Sequence, residues 1–180
     1  MESDLEDEAL AAAAAGGDAR AFHALFDRHY DRVFRVALTV LRDAAEAEDV
    51  AQEIWAGLPG KLRQWRGEGK FTTWLHRIVV NAGRDALRRL GARSRMQTGY
   101  AEAEELARGE AADTACRLNW LERALDLLSD DLRETAALVL GEEMSQAEAA
   151  KALDVAEGTV AWRMSEIRKR LKALNEEAEI

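Results

Sequence analysis

The sequence predicts an all-α chain made of two small helical domains joined by a flexible acidic linker. Three observations carry that expectation. The 180 residues include one proline, and Ala, Leu, Glu and Arg dominate, a mixture that favours helix and offers few strand signals. Apolar residues recur at steps of three and four on both sides of residues 92–115, the spacing of amphipathic helices. Residues 92–115 themselves lack an apolar period, and residues 102–113 hold five acids against Arg108, which reads as a linker. With 48% hydrophobic residues, the chain can build a folded core. The expected organisation is an acidic, Ala-rich N-terminal tail (1–17), a first helical domain (18–95), the linker (96–116), a second helical domain (117–175) and an acidic tail (176–180).

Asp18 is placed to cap the first helix, whose core side carries Phe22, Leu25, Phe26, Val33, Phe34, Ala37, Leu38 and Leu41. The stretch DAAE (Asp43 to Glu46) resembles a capping box and opens a second helix with Val50, Ile54 and Leu58 inward. Pro59-Gly60 should kink or end it. The glycine-bearing loop RGEGK (Arg66 to Lys70) leads to a third helix, capped by Thr72 or Thr73, with Leu75, Ile78, Val79 and Ala82 on its core side. On another face, Arg77, Asn81, Arg84 and Arg88 are spaced by four, three and four, so they form one polar stripe.

In the second unit, Leu118, Leu121, Leu125 and Leu128 mark one helix. Ser129 to Gly141 marks another, with the glycine suited to a left-handed C-terminal position. Ser145 to Glu148 (SQAE) is a capping box opening a short helix with Ala149, Ala150 and Leu153 inward. Asp154 occupies a tight turn, where Asp tolerates the left-handed region. The last helix buries Val160, Met164, Ile167 and Leu171 in a single stripe.

No apolar run approaches the roughly 20 residues of a membrane span, and the N-terminus is acidic where a signal peptide is basic. The lone Cys116 fits a reducing compartment, so the expected location is cytoplasmic with no membrane contact. His23, His29 and His76 show no ligand spacing, and neither a nucleophile elbow nor a phosphate loop is present. No metal, cofactor or catalytic residue is expected.

The charge is segregated. The chain carries −9 overall, yet residues 61–95 hold ten Lys or Arg against Glu68 and Asp85, and residues 163–172 hold five against Glu166. Such clusters are an electrostatic signature of nucleic-acid binding, although each alone also suits a solvated helix face. The short helix, tight turn and long helix at the C-terminus form a helix-turn-helix. In that motif Thr159, Trp162, Arg163 and Glu166 would face bases in the major groove, with Arg168, Lys169 and Arg170 near the backbone. Glu166 could accept from a cytosine or pair with Arg163 or Arg170. In the first unit, Trp65, Phe71 and Trp74 flank a basic loop and stripe. Rings beside cations suit single-stranded nucleic acid, and also suit core.

Together these stretches resemble bacterial RNA polymerase sigma factors of the extracytoplasmic-function (ECF) group, over roughly residues 18–95 and 117–174. AEDVAQE (Ala47 to Glu53) and FTTWLHRIVVNAGRDALRR (Phe71 to Arg89) resemble region 2. MSQAEAAKALDVAEGTVAWRMSEIRKRL (Met144 to Leu171) resembles the helix-turn-helix of region 4. The resemblance implies that Asp49, Gln52 and Glu53 dock on the β′ clamp coiled coil of core RNA polymerase, with the β flap as a further contact of the chain. It implies that Arg66, Lys70, Trp74, Arg77, Asn81, Arg84 and Arg88 melt and read the −10 promoter element. Thr159, Trp162, Arg163, Glu166, Arg168, Lys169 and Arg170 would read the −35 element. The implied function is promoter recognition, melting and initiation in a stress or envelope response, under control of an anti-sigma factor. Departures are present: Pro59-Gly60, Asp154, Ala161-Trp162 and Glu166 stand where relatives commonly carry other residues.

Two other functions compete. A stand-alone helix-turn-helix regulator would bind duplex DNA tightly without polymerase. A helical-bundle metalloenzyme would need ligand spacing that the three histidines lack.

Overall fold

The computed structural model describes residues 2–96, 120 and 122–178, and among these every regular element is helical. Four helices form the first unit: α1 (Glu2–Ala15), α2 (Ala19–Leu41), α3 (Ala44–Leu62) and α4 (Phe71–Met96). The second contains α5 (Asp130–Ala136), continued by a π-helical turn (Ala137–Gly141), then α6 (Gln146–Leu153) and α7 (Glu157–Ala178). A short helical stretch at 122–126 precedes α5. The expected linker, residues 96–116, lies outside the described residues save Met96, as do Leu118, Leu121 and Cys116.

Several local rules are visible at the helix ends. The Asp18 carboxylate accepts from the backbone N–H of Arg20 and Ala21, and Asp43 accepts from that of Glu46. Ser145 and Glu148 form a reciprocal capping box, and Asp154 closes α6 in the left-handed region at φ 59°. Val160, Met164 and Ile167 are buried on α7, with Leu171 packed against the same core.

Other ends differ from expectation. Helix α4 starts at Phe71 without a threonine cap. Its first N–H donates to Glu8 Oε1 at 3.2 Å, so a carboxylate 63 residues away supplies the N-terminal negative charge that a helix favours. Helix α3 runs on past Pro59 to Leu62. The proline falls in its last turn, and fully buried Leu58 and Leu62 on either side hold that turn in the core. Gly141 is not the left-handed residue; it ends the π turn, and that conformation falls two residues on, at Glu143 (φ 54°). Residues 176–178 continue α7 instead of forming a tail.

The expected N-terminal tail is also helical. Helix α1 packs on α2, α3 and α4 and buries Ala11 and Ala14. Asp7 pins it: one oxygen accepts from Arg28 at 3.0 Å and the other meets His29 Nε2 at 2.8 Å in a buried contact. Burial pushes the His29 imidazole down, only partly offset by Asp7. The ring therefore favours its neutral form and needs the carboxylate as hydrogen-bond partner.

The core of the first unit is the inner face of α2, α3 and α4, including Leu25, Val33, Ile54, Leu58, Leu75 and Val79. Gly83 allows α4 to approach α2 closely, since a Cβ there would meet Val40 Cγ1 at 3.0 Å. The second unit packs on the first, α6 against α4 and α5 with its π turn against α2. The apolar core is continuous across both.

Asp7→Ala should lower the unfolding free energy by about 1–3 kcal/mol, the cost of leaving a buried polar partner unsatisfied, as read by denaturant titration. Glu148 gives a pH test. Its carboxyl, held by Ser145 and Lys70, falls from 4.5 to about 2. The unfolded chain binds this proton first as pH falls, so the contribution is whole above about 4.5 and is lost on descending towards about 2. Acid unfolding of Glu148→Gln should lack that part of the slope.

Candidate polymerase and nucleic-acid surfaces

On α3, Asp49, Gln52 and Glu53 are all exposed and share one face through their i, i+3, i+4 spacing. Glu48, which the sequence reading passed over, organises this face. It accepts from Gln52 Nε2 at 2.9 Å and from the Tyr30 hydroxyl at 2.7 Å. The Gln52 amide, then the Tyr30 hydroxyl, hold its carboxyl below the usual range. Glu53 lies 3.8 Å from Arg89 on α4. The two helices frame an open groove of about 560 Å³ whose walls include Glu53, Lys61, Trp74, Asn81, Asp85 and Arg89. One docking candidate, Glu53, and one residue of the α4 stripe, Asn81, therefore share one concave surface.

The loop before α4 turns on Gly67 (φ 72°) and Gly69 (φ 83°), conformations that side chains with a Cβ rarely adopt. Arg66 and Lys70 are exposed at its ends. Phe71 is fully buried, so it belongs to the core. Trp65 and Trp74 are half-buried, with ring centroids 5.9 Å apart, and Phe71 lies 5.8 Å behind Trp74. Trp74 thus lines the groove with its ring packed against Trp65 and Phe71.

Two residues of the α4 stripe, Arg77 and Arg84, and Lys70 just before the helix, meet the second unit. Lys70 Nζ lies 2.9 Å from Glu148, and Arg77 lies 3.3 Å from Asp154. Arg84 makes a two-pronged pair with Glu134, donating from Nε at 2.8 Å and from Nη2 at 2.7 Å. Those hydrogen bonds raise its affinity for the proton. Arg88 pairs with Asp85 on its own helix, and Asn81 is exposed. The sequence reading missed Glu134, Glu148 and Asp154 as partners. The available signal was charge: residues 130–154 hold seven acids against Arg133 and Lys151.

On α7, Trp162 projects with 62% of its surface exposed, and Arg168 and Lys169 are exposed beyond it. Thr159 is half-buried at the start of the helix. Arg163 is turned inward: its side chain is 12% exposed, 3.3 Å from Asp131, and Nη1 donates to the Thr135 hydroxyl at 3.4 Å. Glu166 pairs with Arg170 at 3.3 Å, and Arg170 also donates to the Leu127 carbonyl at 3.2 Å. Of the seven residues on this helix, the structure turns Trp162, Arg168 and Lys169 outward and uses Arg163 and Arg170 to brace α7 on α5 and the turn before it.

Among the described residues, no group of three or more His, Cys, Asp and Glu side chains is arranged to hold a metal ion. No described helix is long and apolar enough to cross a membrane.

Comparisons with known proteins agree with this geometry. Residues 25–93 match the Sigma-70 region 2 family, the segment that carries α2, α3 and α4. The chain is 35% identical over 170 residues to the ECF RNA polymerase sigma factor SigM of Mycobacterium tuberculosis, covering 93% of this chain and 84% of that protein. It is 28% identical to the ECF RNA polymerase sigma-E factor of Haemophilus influenzae, covering 96% of each. Among solved structures, CnrH in complex with the cytosolic domain of CnrY superposes with a TM-score of 0.74 at 27% identity, over 96% of this chain and 98% of that one. The fold of Bartonella quintana RpoE, solved with the anti-sigma factor NepR, matches with a TM-score of 0.76 at 24% identity, over 88% of this chain and 98% of that one. A four-helix unit with an acidic face and a basic-aromatic stripe, followed by a helix-turn-helix and matched end to end by such relatives, belongs to the extracytoplasmic-function group of RNA polymerase sigma factors.

Proposed function

We propose that the chain binds core RNA polymerase through the Asp49, Gln52 and Glu53 face, directs it to promoters, and opens them, with no catalysis of its own. The observation that carries this reading is the layout of α3 and α4. An exposed acidic face borders a groove walled by Trp74 and Asn81, and a basic stripe continues along the same helix. Stacking on a supported ring while cations follow the phosphates is the chemistry of single-strand binding. Arg66, Lys70, Trp74, Arg77, Asn81, Arg84 and Arg88 would hold the opened −10 strand.

Region 4 would read the −35 element as a duplex. Trp162 and Thr159 would lie towards the bases, and Arg168 and Lys169 against phosphates. Arg163, Glu166 and Arg170 would act mainly by fixing the angle of the helix, since their partners lie within region 4. The stand-alone regulator is the weaker alternative, because relatives matched over nearly their full length are polymerase subunits. CnrH was solved with the cytosolic domain of CnrY and RpoE with the anti-sigma factor NepR. By analogy, an anti-sigma factor would hold this chain inactive until a stress or envelope signal releases it.

Run-off transcription with core enzyme on a genomic library tests the whole reading, which predicts initiation at defined sites. Reversing Asp49 and Glu53 to Lys together should weaken core binding by about 2–5 kcal/mol while leaving helical content unchanged, measured by co-elution with core enzyme. Lys169→Ala should weaken holoenzyme binding uniformly across promoters and reduce the salt dependence by about one counterion, as read from a salt titration.

A further inference from the structure

The second unit does more than touch the basic stripe. Lys70, Arg77 and Arg84 recur every seven residues, about two helical turns, and each meets an acid from a different part of region 4: Glu148, Asp154 and Glu134. Those carboxylates stand where strand phosphates would lie. The exposed pairs of Lys70 and Arg77 alone would not hold such an arrangement, since exposed ion pairs contribute about 0–1 kcal/mol each, whereas Arg84 meets a carboxylate, Glu134, that is only 4% exposed.

Glu142 is a second enclosed carboxylate. It lies just past the π turn, and its side chain is only 4% exposed. Three side chains of region 2 converge on it: Arg32 at 3.6 Å and Arg35 at 3.3 Å from α2, and His76 at 3.7 Å from α4, itself 4% exposed. Burial pushes the Glu142 carboxyl up, but His76 and Arg35 more than offset it and hold it below its usual range, so it stays charged. The backbone is shaped to deliver it. The Glu142 N–H donates five residues back to Ala137 at 3.0 Å, and Glu143 takes the left-handed conformation. A π turn of this kind often marks a functional position, and here it aims one carboxylate across the gap between the two units.

We propose that this chain masks its own strand-binding surface, and that Glu142 in the Arg32–Arg35–His76 socket is the latch that registers the closed form. Apolar packing of α6 on α4 supplies attraction, and the buried carboxylate fixes which face of region 4 meets the stripe. Fixing register is the best-attested use of a buried charge. Productive contact with an opened strand then requires the socket to release Glu142, which frees Lys70, Arg77 and Arg84 together. The inference rests on the sigma-factor reading, because it takes the α4 stripe as the surface for single-stranded DNA.

The test uses the full chain in four forms: wild type, Glu142→Lys, Glu142→Lys with Arg35→Glu, and Glu143→Lys. The last carries the same charge change on the exposed neighbouring residue. Two readouts are taken, small-angle scattering and binding of a fluorescent single-stranded thymidylate probe, with circular dichroism to verify the fold. Wild type and Glu143→Lys should scatter as a compact chain with a radius of gyration of about 16 Å. Glu142→Lys should be several ångström larger and bind the probe about tenfold more tightly, as expected when the closed form had held the competent fraction to about one-tenth or less. The charge-swapped double variant should return to wild type in both. An extended wild type, or a Glu142→Lys chain as compact as wild type, would overturn the latch. Opening without tighter probe binding, or an equal gain in Glu143→Lys, would overturn the masking. Scattering does not depend on DNA or polymerase, so failure of the latch is distinguishable from failure of wild type to direct initiation.

Discussion

The structure depends on one helix serving two surfaces. Helix α4 must bury Phe71, Leu75, Val79, Val80 and Ala86 against α2 and α3 while it presents Arg77, Asn81, Arg84 and Arg88 on other faces. An amphipathic helix satisfies both only if its rotation about its own axis is fixed. Three contacts fix it here. Gly83 lets the helix approach Val40 without a methyl group between them. Glu8 holds its first N–H. Phe71 fills the space beneath Trp74 and Trp65. A rotation that exposed Leu75 or Val79 would cost about 1.5–3 kcal/mol for each side chain, more than a surface ion pair could restore. The polar stripe is therefore a by-product of core packing, and its geometry is as rigid as that core.

Such rigidity carries through to the electrostatics. A chain of net charge −9 is repelled by DNA at long range, and that repulsion weakens the phosphate-driven component of affinity. The basic residues of α4 and α7 act only locally, within about a Debye length, near 8 Å at physiological salt. On the proposed function, promoter binding then needs both surfaces brought to DNA in register, which a large enzyme complex can do. The distribution of charge, more than its total, separates a polymerase subunit from an independent DNA binder.

The parts of this architecture legible in the sequence are those whose two partners lie within about four residues of each other. Asp18 with Arg20 and Ala21, Ser145 with Glu148, and the stripe Val160, Met164 and Ile167 all obey helix geometry alone. Apart from Glu48, whose partner Gln52 lies one turn away, what escaped the reading involves partners far apart. Nothing local says that Glu8 caps Phe71, that Asp7 anchors His29, or that Ala11 and Ala14 lie in a core instead of a tail. The left-handed position falls at Glu143, two residues after the expected Gly141, because the helix ends in a π turn that no local pattern announces. Arg163 looked like a base-reading residue because its spacing on α7 suited the groove. Asp131 and Thr135, one turn apart on α5, compete for it, and only the packing of α5 on α7 reveals them.

The same distinction applies to the α4 stripe. From sequence alone its cations form a docking surface, and the acids between Asp130 and Asp154 form a solvated face. Folding brings the two together because the seven-residue interval of Lys70, Arg77 and Arg84 matches carboxylates from α5, α6 and the turn after α6. The exposed pairs of Lys70 and Arg77 exchange water for a partner at little net gain, so those contacts are easily replaced by phosphates of similar charge, while Arg84 holds the enclosed Glu134 with two hydrogen bonds. The Glu142 socket is not replaceable in this way. Its carboxylate is enclosed, and a phosphate strand lying along the outer stripe does not reach it. An interface built from exchangeable outer pairs around two enclosed carboxylates, Glu134 and Glu142, can be strong in orientation while remaining weak in affinity. That combination suits a surface which must stay covered in the free protein and yet yield to polymerase and an opened strand.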